Sequence, residues 1–358
     1  MDGSTDTEQQ EYERAKTELC RIYNERADGA ILHSKIRWIE SGEKPRKYFF
    51  NMEQKSYNKK TITELTVAGG AETSNDDDIL AEIRDIYKNL YSSDMGSDFE
   101  KSFHDFTENL SINLPKLTED KRDALEGKLT LKECRKALMC LRSGKSPGED
   151  AFTIEFYKFF FELIGQEFLD SINAAFEDNE LSISQCRGVI TLIPKVDTNL
   201  KNLSNWWPIT LLNVDYKIAS KAIATRIEMV LPLLINSNQT GFVKGCYIGE
   251  NIRLINDIFE QTKAQNNLGI LLLLDFRKVF DRVEWSFIQK TLDLLNFGNN
   301  IKQWFKTFYS NTESSVLHNG YTTNYFKLSR GVRQSCPLSP YVFVLGAEIL
   351  AAKTGNQY

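Results

Sequence analysis

The stretch LLLLDFRKVFDRVEW, residues 271–285, drives an apolar run into an aspartate and then turns polar. With Gly269 and Ile270 ahead of it, the run reads as a short buried strand, since four to eight apolar residues bounded by turn signals suit a strand covered on both faces. Asp275 stands where that strand ends. An aspartate there has an ordinary structural use, because strands of α/β layers often end on one and Asp is a good helix N-cap. The rest of the chain decides whether it does more.

The chain has 358 residues and ordinary apolar and charged fractions, enough for two or three units with their own cores. No apolar run approaches the roughly 18 residues of a membrane span, and MDGSTDTEQQEYER has neither the basic nor the apolar region of a signal peptide. The expectation is a soluble, intracellular protein with no membrane partner, in nucleus or cytoplasm. Six cysteines lack any C-x-x-C pair, and three histidines are too few to complete zinc sites, so neither a disulfide framework nor zinc is expected. The net charge of −5 argues weakly against nucleic acid, but charge is unevenly spread. Lys44, Arg46, Lys47, Lys55, Lys59 and Lys60 crowd one stretch, and residues 187–226 carry six basic residues against Asp197 and Asp215. Such runs are either solvated faces or nucleic-acid contacts.

Periodicity and punctuation predict the elements. Residues 8–39 read as a charged helical arm, and SGEKPRKYFF breaks it. A helix is expected over 79–91, and Thr118 caps a short one stopped by Gly127. Thr130-x-x-Glu133 is a capping box for a helix with Cys134, Leu138 and Leu141 on one face. After the turn SGKSPGED come helices over 154–163 and 166–176. GVITLIPK reads as a strand ending in Lys195. WWPITLL is expected to open a helix reaching Leu231, with Lys217 and Lys221 one turn apart. QTGFVKGCYIGEN is a glycine-punctuated loop before a helix packing through Ile252, Ile255 and Phe259. Helices over 281–295 and through Trp304 and Phe308 follow, then a hairpin, SSVLHNGYTTNYFKL, turning at Asn319-Gly320. GVRQSCPLSP links to a final helix with Ser339 as N-cap and Pro340 at its first position.

KSPGEDAFTIEFY, LIPK, NWWPITLLNVDYKIASK, QTGFVKGCYIGEN, LDFRKVFD and RGVRQSCPLSPYVFVLGAEIL, in that order, resemble the successive motifs of reverse transcriptases of non-LTR (LINE-type) retrotransposons. The resemblance runs from about residue 125 to the end, and IRWIESGEKPRKYFFNMEQK resembles the segment between endonuclease and polymerase in those polyproteins. It implies an α/β palm-and-fingers polymerase fold with an N-terminal helical extension, an incomplete palm with a small, mainly antiparallel sheet, and no thumb. The domains would be a connector arm over 1–60, an N-terminal extension over 61–128, and fingers with partial palm over 129–358. It implies RNA-directed DNA synthesis with Mg²⁺, two ions, dNTPs, an RNA template and a DNA primer end. Asp275 would be the catalytic metal ligand with the Phe276 carbonyl beside it, carboxylate oxygen being a suitable hard donor. Phe280 matches the aromatic beneath the incoming sugar, Lys195 a lysine near the triphosphate, and Gln334 the glutamine of the nucleotide pocket. Lys145, Lys217, Lys221 and Lys244 are candidates for template or primer phosphates. Core packing, turn hydrogen bonds and plain solvation are the structural uses of the same residues, and Asp281 is expected only to cap or pair locally.

The chain departs from the family pattern in ways that bear on activity. Trp207 and Cys246 stand for arginine, Ser335 and Ala151 for glycine, and Val279 for alanine. The Trp, Cys, Ser and Val replacements are each reachable by one transition, as in a decaying genomic copy. A serine at 335 would be strained if that backbone needs positive φ. The aromatic-x-Asp-Asp hairpin that completes the family's metal site is absent from these residues, so the polypeptide is expected not to polymerise by itself. The alternative is a non-catalytic nucleic-acid-binding remnant or a pseudogene product. An RNA-dependent RNA polymerase is the third reading, disfavoured by RQSCPLSP and Phe280.

Overall fold

A computed structural model describes residues 61–67, 69–96, 99–108, 114–196 and 198–355. The arm expected over 1–60, with its basic cluster, lies outside the described residues. Contacts divide the chain into two compact units, Met1–Thr63 with Ile193–Trp206, and Glu64–Leu192 with Trp207–Tyr358.

The larger unit begins with a two-stranded ribbon, β1 (Leu65–Thr66) and β2 (Glu72–Thr73), and helix α1 (Asp76–Leu90). Asn75 caps α1 through its side-chain oxygen, and Asp76, Asp77 and Asp78 fill the first turn, where the helix dipole favours negative charge. Helix α2 (Phe99–Thr107) and the short α3 (Glu119–Asp123) follow. In α4 (Leu131–Cys140) the capping box forms as expected: Thr130 Oγ1 accepts from the Glu133 amide at 3.3 Å, and Glu133 Oε2 accepts from the Thr130 amide at 2.9 Å. Cys134, Ala137 and Leu138 face the core, and Leu141 lies just past the helix end. The two helices expected over 154–163 and 166–176 are one, α5 (Ile154–Asp178). Gly165 does not break it, since a Cβ there would come within 3.2 Å of Leu131 and Phe161, and its smallness serves close packing on α4.

After the single turn α6 (Ile183–Cys186) comes strand β3 (Arg187–Pro194). WWPITLL is not a helix start but strand β4 (Trp206–Leu212), whose alternation of buried and exposed residues has the strand period of two. The helix proper, α7 (Val214–Leu234), begins after Asn213 and buries Tyr216, Ile218, Ala222, Ile223, Ile227 and Leu231 among others. A helix apolar on nearly every side belongs at the centre of the core, and α7 packs against α4 and α5. Arg226 on α7 is a buried clamp. Its guanidinium donates to both Glu133 carboxylate oxygens at 2.7 and 3.0 Å and to the carbonyls of Leu125, Gly127 and Lys128 at 2.8–2.9 Å. The basic run over 187–226 is therefore partly internal rather than a continuous charged face.

Helix α8 (Ile248–Ala264) does not pack as expected: Ile252 and Phe259 are 59% and 54% exposed, and no α8 residue is buried. The predicted strand GILLLLD is also overturned. Residues 269–275 form no strand, and Leu271, Leu272, Leu273 and Leu274 are 48–77% exposed. A central strand is stable only between neighbours that take up its backbone donors and acceptors, and among the described residues none pairs with this one. Ile255 and Phe259 of α8 line a cavity of about 360 Å³ together with Ile270 and Leu271 at the start of the run.

The single helix expected over 281–295 is two, α9 (Val279–Arg282) and α10 (Trp285–Leu294), because the backbone between them is taken by a neighbour. Glu284 bridges Arg330, and the Gly331 amide donates to Val283 O at 2.7 Å. Helix α11 (Asn299–Tyr309) stacks Trp304 on Phe176 at 4.4 Å. The hairpin turns where expected: β5 (Glu313–His318) and β6 (Tyr321–Thr322) meet at Asn319 and Gly320, both at positive φ, and β7 (Phe326–Lys327) pairs back on β5. The sheet order is β4-β3-β5-β6, with β3 and β5 parallel and the hairpin pairs antiparallel. The sheet is mixed: β3 and β5 run parallel, because helices α7–α11 intervene between them and return the chain in the same direction, while the two hairpin pairs run antiparallel. Helix α12 (Ser339–Gly355) closes the described chain. Ser339 is its first residue, and its hydroxyl donates to Arg333 O at 2.7 Å rather than capping the turn.

Candidate active site

Three segments distant in sequence meet around one buried carboxylate. Helix α1 carries Tyr87 and ends at Tyr91, four residues apart and so on one face. The turn into α9 places Lys278 at φ +52°, its ammonium 5.6 Å from the Tyr87 ring centroid, and brings Asp281 inside. Asp281 Oδ1 accepts from the Tyr91 hydroxyl at 2.8 Å and from Gln334 Nε2 at 2.9 Å. Burial pushes the Asp281 carboxyl above its ordinary value, and these two hydrogen bonds pull it partly back. Burial also drives the Tyr91 phenol well above the usual tyrosine value, with the Asp281 charge adding to it. Asp281 thus pairs well beyond its own neighbourhood, which correction its spacing in the sequence could not signal.

Gln334 lies on the turn before α12, held by the Val332 amide donating to Phe280 O at 2.7 Å. At Gly331, φ is +86° and a Cβ would sit 2.7 Å from Asp281 O, so only glycine lets the two backbones approach. Ser335 follows at φ +67°, and Ala151 lies at φ +60°. Both occupy the left-handed region at the positions where the family pattern has glycine. The Phe280 ring is half-buried between Phe343 at 5.0 Å and Phe242 at 6.3 Å. Phe280, Asp281 and Gln334 are therefore contiguous.

Asp275 and Phe276 lie on the exposed segment before α9. The Phe276 ring lines an apolar cavity of about 500 Å³ with Val279, Phe287 and Phe343. Lys195 belongs to the smaller unit, where its ammonium donates to Ser204 O at 2.8 Å and its amide to Asn205 O at 2.9 Å. Among the phosphate candidates, Lys145 is exposed, and Lys244 and Lys221 reach opposite oxygens of Glu228 at 3.5 and 3.8 Å. Lys217 is 8% exposed, which corrects the reading of a basic 217/221 helix face. Burial pushes its ammonium below the ordinary lysine value, and the Asp150 carboxylate opposes that shift. It belongs to an internal polar cluster that the sequence did not reveal, in which Gln185 donates to Asp215 at 3.0 Å and the Asp150 amide meets Asn213 Oδ1 at 3.4 Å. Gly148 is required there, since a Cβ would fall 2.0 Å from Asn213 Oδ1.

The donor set for metal can be tested directly. Two dications about 3.5–4 Å apart need several hard oxygens with enough negative charge to hold both. Asp275 offers one exposed carboxylate and Phe276 one carbonyl. Among the described residues no group of three or more His, Cys, Asp or Glu is arranged to hold a metal ion. These residues alone do not fit a metal pair.

Residues 193–357 match the family described as reverse transcriptase (RNA-dependent DNA polymerase). The chain is 34% identical over 349 residues, 97% of its length, to the Transposon TX1 uncharacterized 149 kDa protein of Xenopus laevis, and spans 26% of that protein. It is 30% identical over 154 residues to the retrovirus-related Pol polyprotein from the type-1 retrotransposable element R2 of Popillia japonica, covering 43% of this chain and 21% of the polyprotein. With the corresponding R2DM polyprotein of Drosophila melanogaster it shares 24% identity over 172 residues, 46% of this chain and 16% of that one. With its mixed α/β sheet and helices, the chain belongs to the reverse transcriptase family, whose members use metal ions and act on nucleic acids. Within it, this is a reverse transcriptase domain of the non-LTR retrotransposon kind. Among the described residues no helix is long and apolar enough to cross a membrane.

Proposed function

We propose that this domain serves RNA-directed DNA synthesis, extending a DNA primer end on an RNA template with dNTPs, by target priming. The observation that carries the reading is the contiguity of Phe280, Asp281 and Gln334, residues of two motifs far apart in sequence that are joined by the Gln334–Asp281 and Val332–Phe280 hydrogen bonds. Phe280 would lie under the sugar of the incoming nucleotide, and Gln334 would present its amide to it. Lys195 would answer the triphosphate, and Lys145, Lys221 and Lys244 the template or primer phosphates, contacts that fix position without reading sequence. The metal would be Mg²⁺, two ions, with Asp275 and the Phe276 carbonyl as part of the ligand set. The domain would be partitioned into a connector over 1–60, an N-terminal extension over 61–128, and fingers with part of the palm over 129–358.

These 358 residues contain no aromatic-x-Asp-Asp sequence. The polypeptide by itself is therefore expected to give no Mg²⁺-dependent primer extension on an RNA template. Extension that Asp275→Ala abolishes would overturn that expectation. A second reading, a non-catalytic nucleic-acid-binding remnant, is favoured by one feature. Trp207, which replaces the family's arginine, is 55% exposed and offers a ring where a guanidinium fork would grip phosphate. Salt-sensitive RNA binding without extension would support it.

A further inference from the structure

Gln334 is the residue through which the proposed pocket would meet a nucleotide, and its side-chain amide is held by Asp281, which Tyr91 holds in turn. Its Nε2 and the Tyr91 hydroxyl donate to the same oxygen of Asp281, at 2.9 and 2.8 Å. Asp281 is 2% exposed and Tyr91 4%. An ionised carboxylate can only accept, so Gln334 must turn its amide nitrogen toward Asp281 and its carbonyl oxygen away. An asparagine at 281 would lift that constraint, because its own amide can donate as well as accept.

The segment after α1 is bound to the same turn along its backbone. Tyr91 O accepts from the Ser329 and Arg330 amides at 2.9 and 3.2 Å. The Ser93 amide donates to Ser329 Oγ at 2.7 Å, and the Ser93 hydroxyl to Glu284 Oε2 at 2.8 Å. Arg330 meets Asp94 at 2.6 Å. All of these partners on the α1 side lie upstream of residues 193–357, where the family match begins.

We propose that Asp281 and Tyr91 are positioning residues that fix the amide orientation of Gln334, which makes the segment following α1 a working part of the nucleotide pocket. The second half of this statement rests on the reading of Gln334 given above; the first half does not.

The test uses the whole 358-residue protein labelled with ¹⁵N-glutamine, with the Gln334 side-chain NH₂ resonances assigned by their loss in Gln334→Met. In the unsubstituted protein these protons should exchange with water about tenfold more slowly than those of exposed glutamines. Asp281→Asn should abolish most of that protection. Tyr91→Phe keeps the ring and its packing, and should still shift the resonances and speed their exchange. Unchanged Gln334 resonances in both variants, with intact backbone amide spectra, would overturn the proposal. Titration with dATP and Mg²⁺ then separates the two halves. Movement of the Gln334 resonances, with about fivefold weaker binding in Tyr91→Phe, supports both. An intact Tyr91-Asp281-Gln334 network that dATP does not disturb overturns the nucleotide-pocket half and leaves the positioning of Gln334 standing.

Discussion

Ala151 and Ser335 show how a single torsion exposes a mismatch between residue and site. Both sit at φ near +60°, where a Cβ crowds the backbone, and neither has the freedom of the glycine found there in the family pattern. Ala151→Gly and Ser335→Gly are each expected to raise unfolding stability by about 0.5–1 kcal/mol, read as a higher denaturant midpoint with unchanged slope. A fall in stability at either position would mean that the side chain contributes a contact outweighing the strain. The sequence pattern predicted the conflict at 335, conditional on a positive φ that only the backbone could supply.

At the scale of elements, the α4 N-terminus and α7 are joined by one ion pair. Burial pushes the Glu133 carboxyl up, but the Arg226 guanidinium and the Thr130 hydroxyl outweigh it and hold the group below its ordinary value. A carboxyl depressed on folding stabilises the native state above its unfolded value of about 4.3, and that contribution is lost as pH falls through the folded value. The stability difference between the unsubstituted protein and Glu133→Gln should therefore be largest near neutrality and shrink from roughly pH 5 to pH 3. A difference independent of pH would show that the capping hydrogen bonds, not the charge, do the joining. The apolar run over 269–275 makes the opposite case. Because Leu273 is 77% exposed, Leu273→Lys should change stability by less than about 0.5 kcal/mol, whereas Leu231→Ala on the buried face of α7 should cost about 2–5 kcal/mol. Chemical denaturation of the two variants checks both values. A large loss in Leu273→Lys would mean that the run is buried in solution.

For the whole molecule, a net charge of −5 leaves nucleic-acid binding to local cations. Lys145 and Lys244 are exposed, while Lys217 and Arg226 are committed inside. Lys145→Ala or Lys244→Ala should weaken RNA binding irrespective of sequence and lower the slope of log affinity against log salt by about 0.7–0.9 each, and Lys217→Met should leave the slope unchanged. Fluorescence anisotropy across a salt series measures this. The sequence by itself determined what is local or ordered along the chain: the capping box at Thr130, the Asn319-Gly320 hairpin, and the motif series from KSPGED to RQSCPLSP that named the family. These rest on adjacent residues, whose turn chemistry and spacing need no distant partner. Only the tertiary structure decided the rest. A strand needs neighbours to hold its backbone, so GILLLLD, apolar enough to be central, stays open where none of the described residues pairs with it. A helix yields where another segment takes its carbonyl, so residues 281–295 break at Glu284. Burial of a charge depends on what surrounds it, so Arg226 became a clamp and Lys217 an internal cation. Tyr91, Asp281 and Gln334 meet because folding closes distances that no periodicity in the chain encodes.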